Sequence, residues 1–153
     1  YTYMEKRQMQ QIEKLDEKGY LEYTIIPNYR LKQNFITENE ITLYKTLKKI
    51  AYEMNLTLFT QVSLNRILEV NNRRKQQQLQ NRIDRKSIDF VLYDEKVNQI
   101  KFCIELDDET HNNENRIERD IFLDKIFSTN IKLIHIKRKN YYKYEDIKKL
   151  VEQ

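Results

Sequence analysis

Apolar positions recur along this chain with two different periods. From Thr37 to about Met54, the residues Leu43, Tyr44, Leu47, Ile50, Ala51 and Met54 fall on one face at about 100° per residue, which predicts an amphipathic helix. Leu58 to Val62 alternates as a short strand, and Leu64 to Val70 reads as a short helix or turn. Two longer strands follow, each rich in Ile, Phe, Val and Leu, from Ser87 to Asp94 and from Gln99 to Asp107. Alternation sets Ile88, Phe90 and Leu92 on one face of the first and Asp89 with Val91 on the other. In the second, Ile100, Phe102, Ile104 and Leu106 share a face, and Lys101, Cys103, Glu105 and Asp107 share the opposite one. Asn113 suits the cap of a helix to about Ser128, with Leu123, Ile126 and Phe127 turned inward. Arg116, Arg119 and Asp120 continue that stripe toward the helix start. A strand from Ile131 to Ile136 and a helix from Tyr144 to Val151 complete the pattern.

The N-terminal part differs. Residues 2–18 form a mostly polar helix with a thin stripe of Met9, Ile12 and Leu15, ended by Gly19. Tyr20 to Asn28 reads as an extended arm ending at Pro27. The expected architecture is therefore α/β: a central mixed β-sheet flanked by helices, with an N-terminal helical extension. The division falls into residues 1–34, helix and arm, and residues 35–153, the domain.

Composition narrows the function classes. The chain has 153 residues, 39% hydrophobic and 34% charged, with 11 Tyr and 6 Phe, which suits one folded domain rather than disorder. Its 28 basic and 24 acidic residues give a net charge of +4, so the clustering of charge matters more than the total. One Gly excludes a glycine-rich phosphate loop and a dinucleotide fingerprint. One Cys excludes an intramolecular disulfide and a multi-cysteine zinc site, and the expected setting is reducing and cytoplasmic. No run of about 18 apolar residues occurs, so no membrane contact is expected of this segment. The chain starts at Tyr1 rather than Met, as a piece of a longer protein would.

The candidate chemistry lies in and around the two apolar strands. Asp89 and Glu105 can sit on a common face of neighbouring strands, where carboxylates are costly unless paired or bound to a cation. A hard divalent ion takes oxygen ligands of this kind. Glu40 falls on the apolar face of the first helix. It is either a site residue or the second half of a capping box with Thr37. Gln61 either meets a phosphate or water at such a site or bonds only backbone. Arg73, Arg74, Lys75, Arg82, Arg85 and Lys86 form the most basic stretch, which reads as a phosphate-contacting element or as a solvated insertion. Arg116 and Arg119, at the start of a helix, suit phosphate as well as a structural ion network. Lys137, Arg138, Lys139, Tyr141, Tyr142 and Tyr144 read equally as a nucleic-acid grip and as a solvated rim. His135 reads as a core or edge residue.

Asp89 on one strand, a short turn, and the string Ile104-Glu105-Leu106-Asp107-Asp108-Glu109-Thr110-His111 with Arg116, Arg119 and Asp120 behind it together resemble the PD-(D/E)XK, restriction-endonuclease-like nucleases. The resemblance runs from about Phe35 to Ile136 and points to a bacterial branch similar to the very-short-patch repair endonucleases. It implies a restriction-endonuclease-like sandwich and a metal-dependent endonuclease that hydrolyses phosphodiester bonds, with DNA the favoured nucleic acid. Mg²⁺ or Mn²⁺ would be held by Asp89 and Glu105, with Asp107 as a further ligand and the Leu106 carbonyl as another donor. Asp84 and Asp108 are expected to take no part. The resemblance favours a site role for Glu40 and makes His111 a candidate general base. One departure stands out: the motif's Lys is replaced by Asp107, so the positive charge has to come from elsewhere, with Arg116 and Arg119 as candidates. The alternative is a catalytically inactive nuclease-fold module that binds nucleic acid or a protein partner. A homodimer and a fusion to a larger protein both remain open.

Overall fold

The structure, a computed structural model, describes residues 2–17, 19, 26–108 and 114–153; the side chains of Ile26, Arg73, Asn115 and residues 128–130 are not part of that description. The chain divides into two compact units, Tyr1–Phe35 and Ile36–Gln153.

In the first unit, α1 (Tyr3–Glu17) begins with a reciprocal cap: the Thr2 N–H donates to Glu5 Oε2 at 2.7 Å and the Glu5 N–H to Thr2 Oγ1 at 3.3 Å. No residue of α1 is buried, and its stripe of Met9, Ile12 and Leu15 is exposed. Gly19 follows at φ 65°, the left-handed backbone that glycine adopts without steric cost. Residues 20–25 of the expected arm lie outside the described residues, and Ile26–Asn28 is a 3₁₀ turn.

The second unit is α/β. Its elements are α2 (Glu38–Glu53), β1 (Thr57–Ser63), α3 (Gln76–Asp84), β2 (Ser87–Asp94), β3 (Gln99–Asp107), α4 (Glu114–Asn130), β4 (Lys132–Lys137) and α5 (Tyr144–Glu152). The strands form a four-stranded mixed sheet in the order β1-β2-β3-β4. The first three run antiparallel and β4 pairs parallel to β3, with α4 making the crossover.

Two apolar clusters sandwich the sheet. On one face, Leu43, Leu47, Ile50 and Ala51 of α2 and Ile147 and Val151 of α5 pack on Phe90, Leu92, Phe102, Ile104, Leu106, Ile134 and Ile136. On the other, Ile83 of α3 and Leu123 and Phe127 of α4 cover Val91 and Cys103. Each fully buried aliphatic or aromatic side chain contributes about 1.5–3 kcal/mol, which offsets the cost of the charge buried between these layers. Among the described residues, no helix is long and apolar enough to cross a membrane.

Two face assignments made from alternation are corrected. Ile88 packs with Val91 and Cys103, not with Phe90 and Leu92, and Ile100 joins that same cluster. Gln61 adopts φ 50° inside β1, and the β1–β2 ladder skips it between the pairs Thr60↔Phe90 and Val62↔Ile88. The β2–β3 register shifts between Leu92 and Tyr93. The β2–β3 shift leaves one extra residue in β3 and turns Ile100 to the other face, because the strand period is two, whereas the β1–β2 pairing keeps the same register on both sides of Gln61. The short helix α3 lies inside the stretch read as an insertion and is anchored by buried Ile83.

Candidate functional site

The β2–β3 ladder stops at the pair Phe90↔Ile104, and the two strands are held beyond it by their side chains. The Asp89 N–H donates to Glu105 Oε1 at 3.1 Å, and the Leu106 N–H donates to Asp89 Oδ2 at 2.8 Å. Each carboxylate thus satisfies a backbone donor of the opposite strand where the ladder no longer does. Gln61 braces the pair from β1. Its Nε2 donates to Glu40 Oε1 at 2.7 Å and to Asp89 Oδ1 at 3.2 Å, and its Oε1 accepts from Ser87 Oγ at 3.1 Å. The left-handed backbone at a non-glycine residue costs roughly 1–2 kcal/mol. That strain sits at the residue that joins Glu40 to Asp89.

From α4, Arg119 Nη2 donates to the Ser87 carbonyl at 2.9 Å and to Glu105 Oε2 at 3.3 Å. Glu105 is 4% exposed and is the one buried polar or charged side chain among the described residues. Burial pushes its carboxyl up to about 7; the nearby Asp89 charge adds to this, and Arg119 and the Asp89 N–H oppose it. These groups border a cleft of about 580 Å³, in which Glu40, Asp89, Glu105 and Asp108 face Arg116, Arg119 and Arg138.

Residues 32–153 match the family described as "Protein of unknown function (DUF2726)". The chain belongs to the DUF2726 family. The match takes in every residue bordering the cleft, from Thr37 to Arg138. No curated protein and no solved structure matches the chain.

Within this DUF2726 domain, Glu40, Gln61, Asp89, Glu105 and Arg119 form one connected network. The alternative role of Glu40 as a capping-box partner is not taken up. Thr37 is the N-cap of α2 without a side-chain cap bond, and the Glu40 carboxylate turns to Gln61 instead. Arg116 borders the cleft with Arg119. Asp107 is directed elsewhere: its Oδ1 lies 3.1 Å from His135 Nδ1, and His135 Nε2 lies 2.7 Å from Asp124 Oδ1. Burial disfavours the His135 cation, but the hydrogen bonds of Asp124 and Asp107 outweigh it and raise the imidazole above its ordinary value. His135 therefore ties α4 to β3 and β4. His111 lies outside the described residues.

Asp108, read as a bystander, borders the cleft, with its Oδ2 at 4.0 Å from Arg138 Nη1. Asp84 accepts from Asn65 and Gln80 at the end of α3. Arg74 and Lys75 are exposed in a 3₁₀ turn (Arg73–Lys75) before α3, and neither of the two borders the cleft. Arg138 is the cleft residue that the sequence reading left undecided. The parallel pairing Asp107↔Lys137 carries it to the end of β3, and the basic run after β4 was its only signal in the sequence.

Among the described residues, no group of three or more His, Cys, Asp or Glu side chains forms a ready metal cluster. Asp89 and Glu105 nevertheless suit a hard divalent ion. Both offer oxygen, and a cation between them would favour the ionised form of Glu105 against the burial and the Asp89 charge that raise its pKa. Mg²⁺ commonly takes one or two protein carboxylates and fills its remaining positions with water and phosphate oxygens.

Proposed function

We propose that this domain is a metal-dependent nuclease of the restriction-endonuclease-like type, with nucleic acid, DNA favoured, as its substrate. The observation that carries the reading is the reciprocal bonding of Asp89 and Glu105 across the opened strand ends, inside a cleft that also holds three arginines. The order α2, β1, β2, β3, α4, β4 around a mixed sheet supports the same reading.

In this proposal Asp89 and Glu105 hold Mg²⁺ or Mn²⁺, with the Leu106 carbonyl as a further donor. Bound there, the ion supplies charge neutralisation at the phosphorus oxygens and a lowered pKa for attacking water. Water attacks phosphorus, one P–O ester bond breaks, and the products are a phosphate monoester and an alcohol. The protein's own part is orientation and charge. Arg116 and Arg138 engage phosphate oxygens, and Arg119 provides the positive charge beside Glu105 that the departure at Asp107 removes from the motif. Gln61 fixes Asp89 relative to Glu40. His111 retains its candidacy as base from the sequence. Asp107, paired with His135, serves the scaffold rather than the ion.

One observation favours the second reading, a non-cleaving module for nucleic acid or a protein partner: Arg119 already gives Glu105 a counter-charge. Incubation with a mixed DNA and RNA panel in Mg²⁺, Mn²⁺ or EDTA separates the two. Cleavage that requires the metal supports the nuclease; binding without cleavage in any metal supports the module.

A further inference from the structure

Beside the cleft, where α3 ends and β2 begins, two cations share one aromatic ring. The Arg82 guanidinium carbon lies 5.5 Å and Lys86 Nζ 4.9 Å from the centre of Phe122 on α4. Lys86 Nζ also donates to the Arg82 carbonyl at 2.6 Å, which fixes the ammonium over the ring. Burial lowers the Lys86 pKa, and the positive charges of Arg82 and Arg119 lower it further. Three neighbouring acids are engaged elsewhere: Asp84 accepts from Asn65 and Gln80, Asp120 stands 3.7 Å from Arg119 Nη1, and Glu105 takes Arg119 from the cleft side. Two like charges therefore meet on one aromatic face, and among the described residues neither forms an ion pair with a carboxylate. Phe122 is partly buried against the cluster that Ile83 of α3 and Leu123 and Phe127 of α4 help to form. An aromatic face favours a cation, but it does not cancel the repulsion between two of them. An anion does.

We propose that Arg82 and Lys86 form a phosphate subsite on the α3–α4 face, for a backbone phosphate of a nucleic-acid strand that continues out of the cleft. Arg119 connects the two places: it borders the cleft and stands one helical turn before Phe122 on α4. The subsite rests on the nuclease reading for the source of its phosphate but not for its chemistry. It also reassigns the basic stretch, since the working cations are Arg82 in the last turn of α3 and Lys86 just past it, and not Arg74 and Lys75 before it.

The test uses the full chain in EDTA, so that cleavage plays no part. Inorganic phosphate is titrated while the Lys86 Nζ and Phe122 ring resonances are followed. Duplex DNA binding is then measured against salt for the wild type, Arg82→Gln/Lys86→Gln, Lys86→Arg and Arg74→Gln/Lys75→Gln. Saturable phosphate shifts at Lys86 and Phe122 are expected. The slope of log affinity against log salt should fall by about 0.9 for one lost phosphate contact in the double neutralisation, and should hold in Lys86→Arg, which keeps the charge, and in Arg74→Gln/Lys75→Gln. DNA binding with an unchanged slope in Arg82→Gln/Lys86→Gln, or the absence of any phosphate shift at Lys86, overturns the subsite and leaves the nuclease reading standing. Phosphate shifts in a protein that binds no DNA support the phosphate chemistry and overturn duplex DNA as the source of the phosphate.

Discussion

Glu105 and Asp107 lie two residues apart on β3 and have opposite surroundings. Glu105 is buried, faces the Asp89 charge, and keeps its proton up to about 7. The Asp107 side chain is 44% exposed and is matched by His135, which Asp124 also holds. For one acid, burial and the Asp89 charge together outweigh what Arg119 and the Asp89 N–H supply; the other has its counter-charge built into the scaffold. Carboxylates in the first situation take up a cation or a proton, and those in the second hold elements together. The contrast locates the proposed chemistry at Asp89 and Glu105 and removes Asp107 from it.

The largest effect that can break this contrast is on cleavage. Glu105→Gln keeps shape and hydrogen bonding but removes one negative charge from the proposed ion site. Metal-dependent cleavage is expected to fall about a hundredfold or more, while DNA binding in EDTA persists. Asp107→Asn is expected to change cleavage by less than about tenfold, because His135 and not the ion loses a partner. Steady-state cleavage of one labelled substrate by both variants checks the pair; equal losses would erase the distinction.

Stability against pH gives a second contrast. Charging Glu105 costs more in the fold than in the unfolded chain, since its carboxyl rises from 4.5 to about 7. Metal-free protein should therefore be more stable at acid pH, and should lose up to about 3 kcal/mol as pH rises from roughly 4.5 through 7. His135 adds a loss of the same sign that starts near its ordinary value of 6.5 and extends through its raised folded value. Urea midpoints across this range test the shape. Glu105→Gln should flatten the lower window and leave the upper one in place, and Mn²⁺ should flatten the lower window in the wild type.

Much of the second unit was legible in the sequence, because α2, β2, β3 and β4 obey simple apolar periods that their packing preserves. The two misassigned residues, Ile88 and Ile100, lie just past the left-handed Gln61 pair and the register shift. Alternation carries no trace of either irregularity, since each is a backbone event that leaves the composition unchanged. Asp89 and Glu105 stood out as charges inside apolar strands. Glu40 did not resolve, because Thr37 followed by Glu40 satisfies a cap pattern that tertiary contact with Gln61 overrides. The His135 bridge could not be read, since its partners come from β3 and α4, far apart in sequence.

A smaller effect sharpens the role of the irregular residue itself. Gln61→Gly removes the brace on Asp89 and Glu40 and also removes the cost of a side chain at φ 50°. Cleavage is expected to fall about tenfold, the scale of the one hydrogen bond that Asp89 loses, while stability stays within about 1 kcal/mol because strain relief opposes the added chain entropy and the lost bonds to Glu40, Asp89 and Ser87. Denaturation and cleavage measured on the same preparation test this; a large loss of stability would make Gln61 a folding residue.

The central claim is that Asp89 and Glu105 together take a divalent cation. Calorimetric titration with Mn²⁺ near pH 7, in two buffers of different ionisation enthalpy, tests it directly. The wild type should bind saturably and release roughly half a proton per ion, because Glu105 begins about half protonated and must ionise to bind. Folded Asp89→Ala/Glu105→Ala should neither bind nor release. Undiminished binding by that folded double variant, or no binding by the wild type, would contradict the account.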